Sequence, residues 1–429
     1  MRDDAFSRRR DEARERDRHD PLRDFADRFY RLPGAVYLDG NSLGLLSRDA
    51  EACVLRVLDE WKHLAVEGWT EAQPPWFFLS EELSRGVAPL VGASPEEVVV
   101  TGSTTVNLHQ FLATLYRPDD PRKAILVDAL AFPSDVYAVE SHLRLRGLDP
   151  AAHLAKVPSG DGRLLDEADI VARVAVGDAQ MAVLPAVVYT SGQLLDVVRI
   201  TRAAHEHDVR VLWDLSHSIG AVPHALSAWD ADAAFWCHYK YLNAGPGAVG
   251  GLYLNRRHFR GAPGLAGWFS SRKDRQFDMA HVLTAAEDAG ALQIGTPHVL
   301  SLAPLQGALA IHHEAGMERL RAKSLALTGF LRRLVEETLT PHGVGIITPR
   351  EDSRRGGHLA LIHPAAARVC KALRVAGVVP DHRPPDLIRL APVPLYTSFA
   401  DCVEAVRRLD RIFATRAYEA QENERGLVP

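Results

Sequence analysis

Cysteine is scarce in this sequence: Cys53, Cys237, Cys370 and Cys402 are the four present, scattered through 429 residues. No CxxC pair occurs, which argues against a zinc site and a disulfide framework; no metal is expected, and a reducing cytoplasmic setting is. Long apolar runs are missing as well. None reaches the length needed to span a bilayer, so no membrane partner is expected. Charge of one sign is equally sparse, the formal net charge being −5. So small an imbalance supplies no broad basic field for nucleic acid. Internal repeats and low-complexity tracts are absent beyond a charged stretch over residues 1–20. That stretch is arginine-rich but just as rich in acids, and it lacks an apolar core. A transit peptide and a signal peptide are both excluded on that ground, and a solvated, partly helical arm is expected.

What remains is an ordinary globular composition, 47% hydrophobic and 24% charged. A chain of this length is expected to form two domains. Between about Glu96 and Asn255, short β-branched runs alternate with longer amphipathic ones. The strands read from this pattern are Val98–Val100, Ala124–Val127, Met181–Val188, Val209–Trp213 and Val249–Leu254. Helices are expected at Thr105–Leu115, Ser134–Arg146, Glu167–Val176 and Val198–His207. Such alternation implies right-handed βαβ units and a mostly parallel sheet covered on both faces, an α/β fold. Ligands bind such sheets beyond the carboxyl ends of the strands. After about Gly316 the pattern changes to a long helix, Met317–Thr338. Short strands follow near Gly345–Ile347, His358–Ile362 and Leu387–Leu390, with helices near Ala365–Ala376 and Phe399–Ala417, a smaller α+β unit.

Chemistry concentrates at strand ends. In Val211-Leu-Trp-Asp-Leu-Ser-His217 an aspartate closes an apolar strand, where burial is costly without a cationic partner. A protonated pyridinium nitrogen is one such partner; a helix N-cap is the plain alternative. Lys240 lies in Phe235-Trp-Cys-His-Tyr-Lys-Tyr-Leu-Asn-Ala-Gly-Pro-Gly247, an apolar strand running into a glycine-rich turn. Desolvation there favours a nucleophilic amine, and Gly245 and Gly247 are expected to allow close backbone approach. A snorkelling lysine is the alternative. Taken together, Asp214 and Lys240 read as an attachment site for pyridoxal 5′-phosphate (PLP), whose ring acts as an electron sink when its nitrogen is protonated. Val98-Val-Val-Thr-Gly-Ser-Thr-Thr-Val-Asn107 is a strand, a turn and a hydroxyl-rich helix start suited to a phosphate, with simple capping by Ser103 or Thr104 left open. Phe132, after another strand end, suits a flat ring, while Ser134 and Asp135 also suit a helix cap. His217 stands near the presumed ring. The clusters His205-Glu-His207 and His312-His-Glu314 are expected on solvated helix surface, since no third metal ligand is suitably spaced.

These motifs join in order with Leu38-Asp-Gly-Asn-Ser-Leu-Gly44, Thr105-Val-Asn-Leu-His109, Gly267-Trp-Phe269 and Ala391-Pro-Val-Pro-Leu-Tyr396. From about Leu38 to Phe399 the chain resembles the kynureninase family, fold-type I PLP enzymes related to class V aminotransferases. The resemblance implies a large PLP domain with a mostly parallel seven-stranded-type sheet over residues 61–315. It also implies a small α+β C-terminal domain over 316–429, and a segment 1–60 packing on the small domain. Lys240 would hold PLP as a Schiff base and Asp214 would face its ring nitrogen, with His217 close by. Thr104, Thr105 and Tyr239 would reach the phosphate, and Phe132, Pro133, Ser134 and Asp135 would line the ring. Trp268 resembles a phosphate contact near a dimer interface, and Thr296, where some relatives carry asparagine, would also contact the cofactor. Arg389, with Ser42, would bind the substrate's α-carboxylate, a task suited to a guanidinium fork. Trp69 would stack on the aryl ring, with core packing as its alternative. The implied reaction is hydrolysis of L-kynurenine to anthranilate and L-alanine in tryptophan catabolism, with the unhydroxylated substrate favoured over 3-hydroxykynurenine. Tyr239 is the expected proton carrier for the carbonyl oxygen, and a homodimer is expected. An aminotransferase shares the fold, as does a cysteine desulfurase, but no cysteine here looks mobile enough for desulfuration.

Overall fold

The computed structural model describes residues 2–259 and 261–422. A two-residue strand, β1 (Val36–Tyr37), precedes the large sheet. That sheet takes β2 (Val98–Val100), β3 (Ala124–Asp128), β4 (Leu154–Val157), β5 (Ala179–Pro185), β6 (Arg210–Asp214), β7 (Ala233–Trp236) and β8 (Gly251–Leu254). Their spatial order is β2-β8-β7-β6-β5-β3-β4. β8 runs antiparallel to β7 and β2, and the remaining pairings are parallel. Side chains alternate across a strand, so each strand feeds two cores. Val98, Val100, Leu126, Val211 and Trp213 enter one of them, whereas Val99, Ile125, Val127 and Leu212 enter the other. Helices Glu167–Val174, Val197–Glu206 and Val299–Ala315 cover the first face. Thr104–Leu115 and Pro133–Leu145 cover the second.

The expected strands are present with shifted ends, and the sheet gains two members. β4 is an edge strand whose third residue, Lys156, is exposed, so its apolar signal is weak. β7 occupies only the start of the apolar run before Lys240. It stops at Trp236, and in place of the expected strand leading directly to the lysine come Cys237, outside any regular element, and a bend at His238 and Tyr239.

Beyond Gly316 lie β9 (Gly345–Ile346), β10 (Leu359–Ile362), β11 (Val378–Val379), β12 (Asp381–Arg383) and β13 (Leu387–Leu390). Four of them form an antiparallel sheet in the order β12-β13-β10-β9, while β11 pairs in parallel with β1. Helices Met317–Leu339, Ala366–Val375 and Phe399–Ala414 bury a common apolar cluster that also takes in Phe6, Ala13, Val36 and Leu38. The N-terminal arm is therefore not simply solvated. Residues 2–18 form a helix whose Phe6 and Ala13, seven positions apart, share one face and are buried. Asp17 then accepts hydrogen bonds from the amides of Phe399 (2.7 Å) and Ala400 (3.0 Å), at the start of the last helix. Those amides have no partner within their own helix, so the arm satisfies donors that the helix cannot. A further cluster of Leu22, Phe29, Leu45, Val187, Tyr241, Val393 and Tyr396 joins the arm, the large sheet and the C-terminal unit beside the Lys240 turn.

Candidate active site

The carboxyl end of β6 places Asp214 next to the turn that follows β7. Asp214 Oδ1 accepts from the Ser216 amide at 2.8 Å, and a turn rather than a helix follows, so the N-cap alternative is not realised. Burial pushes the Asp214 carboxyl above its ordinary value, opposed chiefly by the positive charge of Lys240. Asp135 is buried too, and its carboxyl is pushed well up by desolvation and by Asp214, with Lys240 again opposing. Two buried carboxyl groups thus share the lysine as their nearest cationic side chain, and a further cation beside them would favour their ionised form.

The Lys240 amine lies 3.0 Å from His217 Nε2. Burial, then the charges of Lys240 and Arg389, hold this imidazole far below its usual range. His217 is therefore neutral and offers a lone pair. Its Nδ1, like the hydroxyl of Thr190, is buried without a hydrogen-bond partner among the described residues. Burial raises the Tyr239 phenol, with Cys237 adding to it, so the phenol stays protonated and is a donor. The backbone carbonyl of Tyr239 accepts from the Gly44 amide at 2.8 Å. A Cβ at Gly44 would collide with Asn243 Oδ1 and the Lys240 carbonyl. Close approach of the Asp39–Gly44 loop to the lysine turn therefore demands glycine at that position. At Gly245 and Gly247 the expected reason does not hold. A Cβ there would meet nothing within 4 Å, and what requires glycine is positive φ, 84° and 72°.

Helix Thr104–Leu115 begins at the carboxyl end of β2. Ser103 occupies the cap position in extended conformation, yet neither it nor another side chain caps the helix. The first-turn amides and the hydroxyls of Thr104 and Thr105 are thus not consumed by local capping. Similarly, Phe132 and Pro133 open helix Pro133–Leu145 without a side-chain cap, so Ser134 and Asp135 lie inside it and do not cap it. Phe132 meets Tyr189 edge-on at 5.2 Å, and Tyr189 lies 6.3 Å from the His217 ring. On the C-terminal side, Arg389 is 1% exposed. It donates to Asp381, to the Tyr189 carbonyl at 2.6 Å and to Ser42 Oγ at 3.4 Å. Arg389 is thus no surface arginine on a strand.

Not every expected residue joins this group. Trp69 and Thr296 line a separate surface cavity of about 390 Å³ with Trp61, Trp76 and His298, and no member of the Lys240 cluster borders it. Trp69 packs edge-on against Trp76 at 5.9 Å. Trp268 is 46% exposed, with its indole N–H 3.4 Å from the Gln276 carbonyl.

Comparison with known proteins resolves what such a cluster belongs to. A family model of the class-V aminotransferases matches residues 61–364, and one of the kynureninase C-terminal domain matches residues 320–409. Kynureninase of Bacillus anthracis is 55% identical over 97% of both chains, and that of Geobacillus thermodenitrificans is 53% identical over the same shares. The chain belongs to the kynureninase family. Among solved structures, a C-DES mutant with glycine covalently linked to its PLP cofactor superposes with a TM-score of 0.76 at 19% identity, covering 91% of this chain and 98% of that one. Cysteine desulfurase CsdA from Escherichia coli gives 0.74, again at 19% identity and with the same coverage. At that identity the two show a common fold only. Cys237, Cys370 and Cys402 are buried here and Cys53 is half-buried on a helix, unlike a mobile nucleophile.

Kynureninase-family membership makes the chain a PLP enzyme, and its own residues fit that cofactor. A buried carboxylate stands ready for a ring cation, an unpartnered imidazole nitrogen and threonine hydroxyl lie nearby, and an uncapped helix start offers amides for a phosphate. Three neighbours were not foreseen: the half-buried Tyr189 and the buried His358 and Asp381. Tyr189 had a usable signal, since it follows the expected strand Met181–Val188 at its carboxyl end. His358, whose ring lies 5.9 Å from that of His217, and Asp381 lie in the C-terminal unit, far along the chain from the motifs. The expectation for His312 also fails. It is buried, with Nδ1 2.8 Å from the Ala308 carbonyl and Nε2 3.1 Å from the Tyr241 carbonyl, and so ties its helix to the lysine turn. His205 is half-buried and bonded to Asp232 at 2.9 Å.

Proposed function

We propose that the Lys240 cluster hydrolyses L-kynurenine to anthranilate and L-alanine, a step of tryptophan catabolism. The observation that carries this is whole-chain identity of 55% to a kynureninase, combined with a lysine and a buried carboxylate at adjoining strand ends. Bound PLP supplies an electron sink for the carbanion formed at the substrate's α-carbon.

Lys240 is the attachment point and, when released, carries the α-proton. Asp214 holds the ring nitrogen cationic, and His217 and Phe132 to Asp135 surround the ring. Thr104, Thr105, Tyr239 and Trp268 hold the phosphate. The Tyr239 phenol, kept protonated by burial, donates to the carbonyl oxygen as water adds to the γ-ketone. Arg389 and Ser42 bind the α-carboxylate. Trp69 is assigned to the aryl ring and Thr296 to the cofactor, both reached in a homodimer that brings their cavity against a second copy. Supporting the dimer are Trp61 and Leu300, exposed apolar side chains that line that cavity, with Leu55 and Leu58 also exposed on the Trp61 helix. Exposed apolar side chains gathered in this way are characteristic of an interface. A cytoplasmic setting accords with four free thiols.

Incubation with kynurenine is expected to release fluorescent anthranilate and alanine in equal amounts without a keto-acid co-substrate. A keto-acid requirement would instead indicate transamination. Run in parallel, 3-hydroxykynurenine is expected to show the lower kcat/KM, because the Trp69 indole assigned to the aryl ring has a donor and no acceptor for a ring hydroxyl.

A further inference from the structure

Arg389 is held by its surroundings more tightly than carboxylate binding alone would need. A guanidinium carries five N–H donors and no acceptor. In this structure Nε donates to Asp381, Nη1 to the Tyr189 carbonyl and Nη2 to Ser42 Oγ. Three donors are thereby used and two remain, one on each terminal nitrogen, the number a bidentate carboxylate takes. The Asp381 contact is built into the sheet, because Asp381 on β12 is the direct cross-strand partner of Arg389 on β13. Asp381 is itself 1% exposed. It also accepts from Arg383 Nε at 3.1 Å, so one buried carboxylate is shared by two guanidinium groups. On the other side, the Ser42 hydroxyl bonds the Asp39 carboxylate while accepting from Arg389. That hydroxyl relays a second acid to the same guanidinium through the Asp39–Gly44 loop.

We propose that Asp381 is a positioning residue that locks the Arg389 guanidinium by its Nε edge and so sets the enzyme's requirement for an α-carboxylate. The inference rests on Arg389 being the carboxylate-binding group. Without Asp381 the guanidinium has an unsatisfied Nε–H and a free rotation, and its fork no longer stands pre-formed. Loss of uniform binding of this kind raises KM more than it lowers kcat.

The test compares kynurenine with kynuramine, its decarboxylated analogue, as substrate and competitive inhibitor respectively, using PLP-loaded enzyme. Asp381→Ala is expected to raise KM for kynurenine by about tenfold or more, the loss typical of removing one partner of a buried charge pair, with kcat reduced by less than about threefold. Ki for kynuramine should stay within about twofold, because that ligand lacks the group Arg389 grips. Asp381→Asn, which keeps an acceptor for Nε–H, should recover most of the affinity. Asp381→Ser, too short to reach Nε, serves where the alanine variant does not fold and should give the same split. An unchanged KM, or a parallel rise in Ki for kynuramine, would overturn the proposal. Arg389→Gln separates the two levels. If it leaves KM for kynurenine unchanged, the carboxylate reading itself is wrong. If it raises KM while the Asp381 variants do not, only the positioning role is lost.

Discussion

Lys240→Ala is expected to lower kcat for kynurenine by roughly ten-thousand-fold or more, since a covalent anchor and a proton carrier are lost together. The side chain is half-buried, and its hydrogen-bonded neighbour among the described residues is His217 at 3.0 Å. Removing it leaves that neutral imidazole without its amine but creates no buried unpaired charge on His217, whose own proton affinity burial has already depressed. The fold should therefore survive, and the loss should appear in anthranilate release under single-turnover conditions with circular dichroism unchanged. Near-normal turnover by the variant would remove the lysine from the mechanism.

Asp214→Asn should cost activity but not stability. The substitution keeps the shape and an acceptor for the Ser216 amide, bonded at 2.8 Å, and removes only charge. When a cation is bound opposite, deleting a buried partner costs about 3–5 kcal/mol, or roughly two to four orders of magnitude in kcat/KM. In the cofactor-free protein the sign reverses. Burial raises the Asp214 carboxyl above its ordinary value of 3.8, so the folded state binds more protons than the unfolded one above that pH. Stability of the apoprotein then falls as pH climbs from about 4 through the raised value, and the asparagine variant loses that slope. Thermal melting of apoprotein across this window should show the variant equal to or more stable than the parent at neutral pH. A variant that is both less stable as apoprotein and fully active would contradict the assignment.

Much of the fold was legible because strand periodicity is a strong signal where both faces are buried. Val98–Val100 and Val211-Leu-Trp213 are uninterrupted apolar runs, and locating their carboxyl ends was enough to place Asp214 and the Thr104 helix start. The lysine turn was legible as chemistry, though its glycines were misjudged, since a sequence does not distinguish positive φ from close packing. Residues whose partners lie across the chain were hidden. Asp381 meets Arg389 only through β12–β13 register, and the helical histidine His312 is buried with its two ring nitrogens against the carbonyls of Ala308 and Tyr241. The arm was misread for a related reason. Phe6 and Ala13 are lone apolar residues in a charged helix, and only the cluster they enter shows their purpose. Trp69, Thr296 and Trp268 were named by resemblance alone, and one chain does not unite them with Lys240.

One measurement reaches the central claim directly. Protein purified with PLP should absorb well to the red of its aromatic bands, and borohydride should abolish that band while fixing the pyridoxyl group irreversibly. Peptide mapping by mass spectrometry is expected to find the label on the segment containing Lys240 and nowhere else. A colourless protein indifferent to added PLP, or a label on another lysine, would contradict the account.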